Sequence, residues 1–252
     1  MGKGQVFSHG YSILDQLVGH VSYFQLMMLN ATGHLPDRRL AEWVEAAFMC
    51  VSWPDARIWC NTIGAFGGTL QTTAVAATAA GMLAADSTMY GTLPLIEGVG
   101  FIQQAHKDRK AGLSTEEIVE RQCARHRGKP NIVGYARPLA RGDERLVAME
   151  TVTDNLGFKI GPHLSLAYEI QTVLSKKYNE TMNINGYYSA FMSDQNYTAE
   201  EIYRISASCV NSGVTASYIN TRDSSPESFL PLQCDDIEYL GKPIRPVPDM
   251  DD

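Results

Sequence analysis

Apolar residues recur along most of the chain at steps of three and four, the spacing of one face of an α-helix. From Tyr11 to about Asn30, Leu14, Leu17, Val18, Val21, Phe24, Met27 and Met28 share such a face, which predicts one long helix. Asp37 can cap a second helix whose inner face is Leu40, Val44, Ala47 and Phe48. The run "TLQTTAVAATAAGMLAADSTMYG" is dominated by Ala, Thr and Gly, residues that let helices approach closely, and predicts a central, tightly packed helix.

Two capping boxes follow. Ser114 with Glu117 opens a helix towards Arg127, and Thr198 with Glu201 opens one towards Val210. Between them "RLVAMETVTDNLGF" and "LSLAYEIQTVLSKKY" both fit amphipathic helices. Alternation with period two is scarce, so the predicted class is all-α. Glycines and a proline interrupt the pattern between Pro94 and Gly100, hinting at a boundary. The tail "KPIRPVPDMDD" is proline-rich and acidic, as expected of a segment that wraps a surface.

Composition narrows the class. The share of charged residues is 19% and the net charge is −7, with basic residues scattered along the chain. That argues against a nucleic-acid binder working by phosphate neutralisation, while leaving room for a local basic pocket for a small anion. The five cysteines are far apart, without a C-x-x-C pair, and read as reduced thiols of a cytoplasmic protein. The six histidines show no metal-ligand spacing, so no metal is expected. No apolar run is long enough to span a bilayer. P-loop, G-x-S-x-G and H-E-x-x-H signatures are absent, and "GAFGG" (64–68) reads as helix packing or a turn.

The stretch "KPNIVGYARPLARGDER" (129–145) has a Gly-Tyr turn, two prolines, three arginines and an acidic pair, the composition of a loop that holds phosphates or carboxylates. Within it "GYARPLARGDER" resembles the loop of the citrate synthase and citryl-CoA lyase family, which runs Gly-aromatic-Gly-His, a short apolar-basic stretch, then Asp-Pro-Arg. About forty residues later "NINGYYSAF" resembles the family's Asn-Val-Asp-Gly segment. "SASCVNSGVTASYINTR", "LPLQCDDIEYLGKPIRPVP", "MMLNATGHLPD" and "STMYGTL" resemble further family segments in the family's order. The resemblance covers nearly the whole chain.

What it implies is a citrate synthase-like fold: an all-α homodimer or higher homo-oligomer whose large and small domains close over a coenzyme A thioester. The large domain would comprise residues 1–94 and 206–252, and the small CoA-binding domain residues 95–205. In the family one histidine polarises the thioester carbonyl, an aspartate removes a proton beside it, and a second histidine and arginines hold the carbonyl partner. Here Tyr90, Arg137 and Asn185 stand at the two histidine positions and the aspartate position. Asn185 cannot be a general base, because an amide has no titratable proton at neutral pH. A family arginine falls near Val210, and another appears as Pro231 or Leu232.

Lys129, Ile132, Val133, Gly134, Tyr135 and Arg141 are the expected coenzyme A contacts. Arg145, Tyr187 and Tyr188 are the expected substrate contacts, with Asp55 a spare group for proton transfer. Two readings stay open. One is an acyl-CoA synthase or lyase, an acyltransferase-type enzyme making or breaking a C–C bond next to the thioester with non-standard groups. The other is an inactive paralogue serving as a regulatory or assembly partner. A residue set rich in donors suits a reaction that needs oxyanion stabilisation more than proton abstraction.

Overall fold

The computed structural model describes residues 4–55, 57–89, 91–136 and 142–225, with positions 238, 240, 241 and 243. Eleven α-helices are found among them. They are α1 (Tyr23–Thr32), α2 (Arg38–Val51), α3 (Trp59–Thr69), α4 (Ala74–Ala85), α5 (Leu93–Lys110), α6 (Thr115–Arg125), α7 (Glu144–Asn155), α8 (Pro162–Tyr178), α9 (Ile184–Asp194), α10 (Ala199–Ser206) and α11 (Asn211–Arg222). A hairpin of β1 (Phe7–Ser8) and β2 (Tyr11–Ser12) precedes them.

The predicted starts at Asp37, Ser114 and Thr198 are present: Asp37 accepts from Leu40 N–H, and both capping boxes are complete. The predicted helix over 11–30 is not continuous. After β2 a five-residue π-helical turn (Ile13–Leu17) ends, Gly19 adopts φ +80°, and Ser22 with Gln25 opens α1 afresh through a third capping box. Of the periodic apolar residues before the break, Leu14 and Val18 are exposed and Leu17 is buried. Helix α5 runs unbroken through Pro94–Gly100, where the apolar pattern is interrupted. Pro94 sits in the helix's first turn, where no intrahelical N–H is lost, and Gly98 and Gly100 are helical.

Packing divides the described residues into two clusters. One large core gathers buried residues of α1, α2 and α5 to α10 around Trp43. The Trp43 ring stacks on Phe191 at 3.7 Å and lies near Tyr188 and Tyr187 at 5.6 and 6.3 Å. Its indole N–H donates to Thr153 Oγ1 at 2.8 Å, which also meets the Tyr187 hydroxyl at 2.8 Å. The buried polar tips of this aromatic stack are thus satisfied within it. A smaller cluster, centred on Cys60, Ala85, Cys209, Val210 and Val214, joins α3, α4 and α11. Helices α1 and α2 pack into the large core, and Phe48 and Val51 of α2 also touch the smaller cluster.

The "GAFGG" glycines are helical and serve close packing. A Cβ at Gly64 or Gly81 would run into Val214 of α11, and one at Gly68 into Thr221. The Ala-rich α4 is packed on one side only. Val75 and Leu83 on its other side are 79% and 77% exposed, so it is not the central helix the sequence led us to expect. No helix among the described residues is long and apolar enough to cross a membrane.

Thr153→Val keeps the shape of the side chain but strands the Trp43 N–H and the Tyr187 hydroxyl. The expected loss is about 1–3 kcal/mol of unfolding free energy, measured by urea denaturation, with the helical circular dichroism spectrum unchanged.

Candidate functional site

The loop from Lys129 to Ala136 is fastened to the start of α9 by its backbone. Gly134, at φ +96°, lies so close to Gly186 that a Cβ on either would meet the other's backbone at 2.7 or 2.5 Å. Only glycine at both positions allows this contact. Asn183, the residue before α9, donates from its backbone N–H to Gly134 O at 2.9 Å and from Nδ2 to Ala136 O at 2.5 Å. Its Oδ1 accepts from the N–H groups of Asn185 and Gly186, capping α9. Sequence reasoning did not single out Asn183. Its signal was present, since asparagine before an apolar helical run is a preferred cap.

Asp143 closes the loop on its other side. Its carboxylate is fully buried, and Arg145 holds it through Nε at 2.7 Å and Nη2 at 2.6 Å. The backbone N–H of Arg145 (3.2 Å) and of Ile184 (2.9 Å) donate to it as well. Burial acts to raise the pKa of this carboxyl, but the Arg145 bonds and charge and the two backbone donors outweigh it and hold it below the usual range. Arg145, expected as a substrate contact, spends two donors of its fork here and lies 6.0 Å from the half-exposed Trp53 ring. It braces the loop. The half-buried Cys50 lies in the field of the same pair, and burial raises its thiol pKa.

The cationic side of the loop opens onto a groove of about 550 Å³ lined by Arg125, His126, Arg127, Lys129, Pro130, Asn131, Ala136 and Glu180. Lys129, expected as a coenzyme A contact, lines this groove. Arg125, the last residue of α6, and Arg127 just after it join Lys129 there; both lie within four residues of it in the sequence, upstream of the stretch singled out for its composition. Ile132 and Tyr135 are buried, and the Tyr135 hydroxyl donates to Ala167 O at 3.2 Å, fixing the loop to α8. Val133 is half-buried beside the buried Gly134.

Asn185 lies in the first turn of α9, its backbone carbonyl carbon 3.8 Å from where a Gly134 Cβ would be. Loop and Asn185 are therefore brought together. Tyr187 and Tyr188 are not: both belong to the large core, with hydroxyls on Thr153 and Ser206. Burial raises both pKa values, that of Tyr187 to about 12. Asp55 is held by Arg57 in an exposed pair, its pKa lowered to about 2 by the Arg57 hydrogen bond. Tyr90, Arg137, Arg141, Pro231 and Leu232 lie outside the described residues. No group of three or more metal-ligating side chains occurs among the described residues.

This arrangement, a helical two-cluster scaffold with a glycine-docked loop against one helix start, is the citrate synthase/citryl-CoA lyase-like fold. A citryl-CoA lyase from Hydrogenobacter thermophilus matches with a TM-score of 0.81 and 22% identity, over 98% of this chain and 94% of that one. An ATP citrate lyase from Methanothrix soehngenii, solved with citrate and coenzyme A, matches at 0.73 and 15% identity over 92% of this chain and 39% of that one. A citrate synthase from Thermotoga maritima matches at 0.67 and 14% identity over 90% and 60%. Identities this low make the likeness one of fold. No protein-family model and no curated protein matches the sequence.

Asp143→Asn breaks the buried pair and is expected to cost about 3–5 kcal/mol at neutral pH. A depressed carboxyl pKa gives stability that is present above the unfolded-state pKa and lost as pH falls through the folded one. Denaturation from pH 7 down through the acid range should therefore show the gap between wild type and variant closing below about pH 4.

Proposed function

We propose that the protein binds an acyl-coenzyme A in the groove and loop of residues 125–136 and acts on the carbon next to the thioester, making or breaking a C–C bond. The observation that carries this reading is the docking of Gly134 on Gly186, which joins a basic groove to the helix start bearing Asn185. Structures of the same fold include a citryl-CoA lyase, an ATP citrate lyase with coenzyme A and a citrate synthase, which supports the same substrate class.

Arg125, Arg127 and Lys129 supply the charge to pair with the phosphates, and the Ile132–Tyr135 turn offers backbone to the adenine. Arg141 adds a further cation to pair with the phosphates. Asn185 donates a hydrogen bond to the thioester carbonyl. Tyr90 donates to the enolate oxygen that develops as the bond breaks, and Arg137 steadies negative charge on the departing or arriving carbonyl oxygen. With Arg145 engaged by Asp143 and Val210 buried in the small cluster, the carbonyl partner is less acidic than citrate or oxaloacetate. This donor-rich set suits retro-aldol cleavage. The β-hydroxyl proton passes to water as the C–C bond breaks and the enolate carbon takes a proton back from water, with the donors holding the negative charge in between.

The protein works as a homodimer through α4. That helix carries no charged residue from Ala74 to Ala85 and exposes Val75 and Leu83, an apolar face that a second copy would cover. Leu83→Glu should shift the protein towards monomer in sedimentation velocity while leaving its helix content intact.

Calorimetric titration with coenzyme A and a panel of acyl-CoAs tests the site. We expect binding with preference for one acyl group, weakened at least about tenfold when Arg127 and Lys129 are both changed to Glu, because a lost charge-assisted phosphate contact is worth about 1.5–3 kcal/mol. No binding by the unaltered protein to any of them would end the thioester reading and favour the assembly-partner alternative.

A further inference from the structure

Asn185 and Ser189 are one helical turn apart on α9, so their side chains lie on one face. That face meets α5 at Gly98. A Cβ there would lie 2.5 Å from Asn185 Oδ1 and 3.1 Å from Ser189 Oγ, so the glycine leaves a notch in which both groups sit. Ser189 is buried, 1% exposed, and its hydroxyl donates to Asn185 Oδ1 at 3.0 Å. A serine inside a helix ordinarily gives this proton to the backbone carbonyl one turn back. Here it goes to the side-chain amide.

A carboxamide has one acceptor edge and one donor edge, and free rotation would present either. With the acceptor edge taken by Ser189 and pressed against α5, the Nδ2 edge remains, and no described residue accepts from it. We infer that Ser189 is a positioning residue that makes Asn185 a fixed hydrogen-bond donor to the thioester carbonyl oxygen of the bound acyl-CoA. The inference rests on the acyl-CoA reading of the site and deepens it. The ligand group seated at Asn185 must be an acceptor. The thioester carbonyl is polarised there by an oriented dipole that need not reorganise, and free coenzyme A, which has a thiol and no carbonyl at that point, gains nothing from it.

The test is infrared spectroscopy of acetyl-CoA carrying ¹³C at the carbonyl, bound to the protein, alongside calorimetric affinities for acetyl-CoA and coenzyme A. In the unaltered protein we expect a narrow carbonyl band displaced to lower frequency than in Asn185→Ala. Ser189→Ala should broaden the band and move it towards the Asn185→Ala position. It should cut the preference for acetyl-CoA over coenzyme A about fivefold to tenfold, the worth of one neutral hydrogen bond. Its affinity for coenzyme A itself should not change. Gly98→Ala, which pushes on the amide from the other helix, should do the same and decides the matter if Ser189→Ala does not fold. An unchanged band and preference in these variants would overturn the role of Ser189. A band insensitive to Asn185→Ala, with both ligands still bound, would overturn the carbonyl contact alone. Failure of the unaltered protein to bind either ligand would remove the acyl-CoA site and this inference with it.

Discussion

A buried carboxylate sits at the joint of this protein. Taking Asp143 out of water is costly, and an isolated ionised group there would be untenable. The cost is met by the Arg145 fork and two backbone N–H groups, one of them at the start of α9. Because the carboxylate needs all of these donors, the loop that carries it has few alternatives to lying against α9. The Gly134–Gly186 contact and the Asn183 bridges follow from that placement.

The same constraint shapes the chemistry open to the site. An arginine that must neutralise a buried acid is poorly free to grip a ligand's carboxylate, so ligand charge has to be matched elsewhere. Arg125, Arg127 and Lys129 are arranged at the solvent edge, where cations can be gathered without desolvation. Among the described residues, the side chains beside Gly98 at the start of α9 are neutral: the Asn185 amide and the Ser189 hydroxyl. A polar but uncharged interior next to a charged rim suits a ligand with an anionic tail and an uncharged reactive head.

Much of the fold was legible because helix signals are local. Asp37, Ser114 and Thr198 announce helix starts through their own backbone donors, and the apolar spacing of α7 and α8 needs no partner to be read. The errors came where tertiary contact decides. Gly98 and Gly100 look like breakers in isolation, yet α5 is continuous because α9 needs the room at residue 98. Leu14 and Val18 match a helical face, but Gly19 and the Ser22 cap interrupt it. At the site, Lys129 and Gly134 were readable from the loop's composition. Tyr187 and Tyr188 lie beside Asn185 in sequence but point across α9 into the Trp43 stack, since neighbouring helical residues face different directions.

The loop, α8 and α9 are fastened to one another pairwise. Tyr135 bonds the loop to α8, Asn183 bonds it to α9 where Gly186 packs on Gly134, and Asp194 at the end of α9 accepts from the first N–H groups of α8 at His163 and Leu164. A triangle tied at all three corners has no hinge within it. Its buried amides, at Tyr135 and at the starts of α8 and α9, should exchange with solvent only when the large core opens, whereas the exposed edge at Lys129 and Asn131 exchanges locally. Any larger motion is then expected at the edges of this block, with residues 129–136 carried along as part of it.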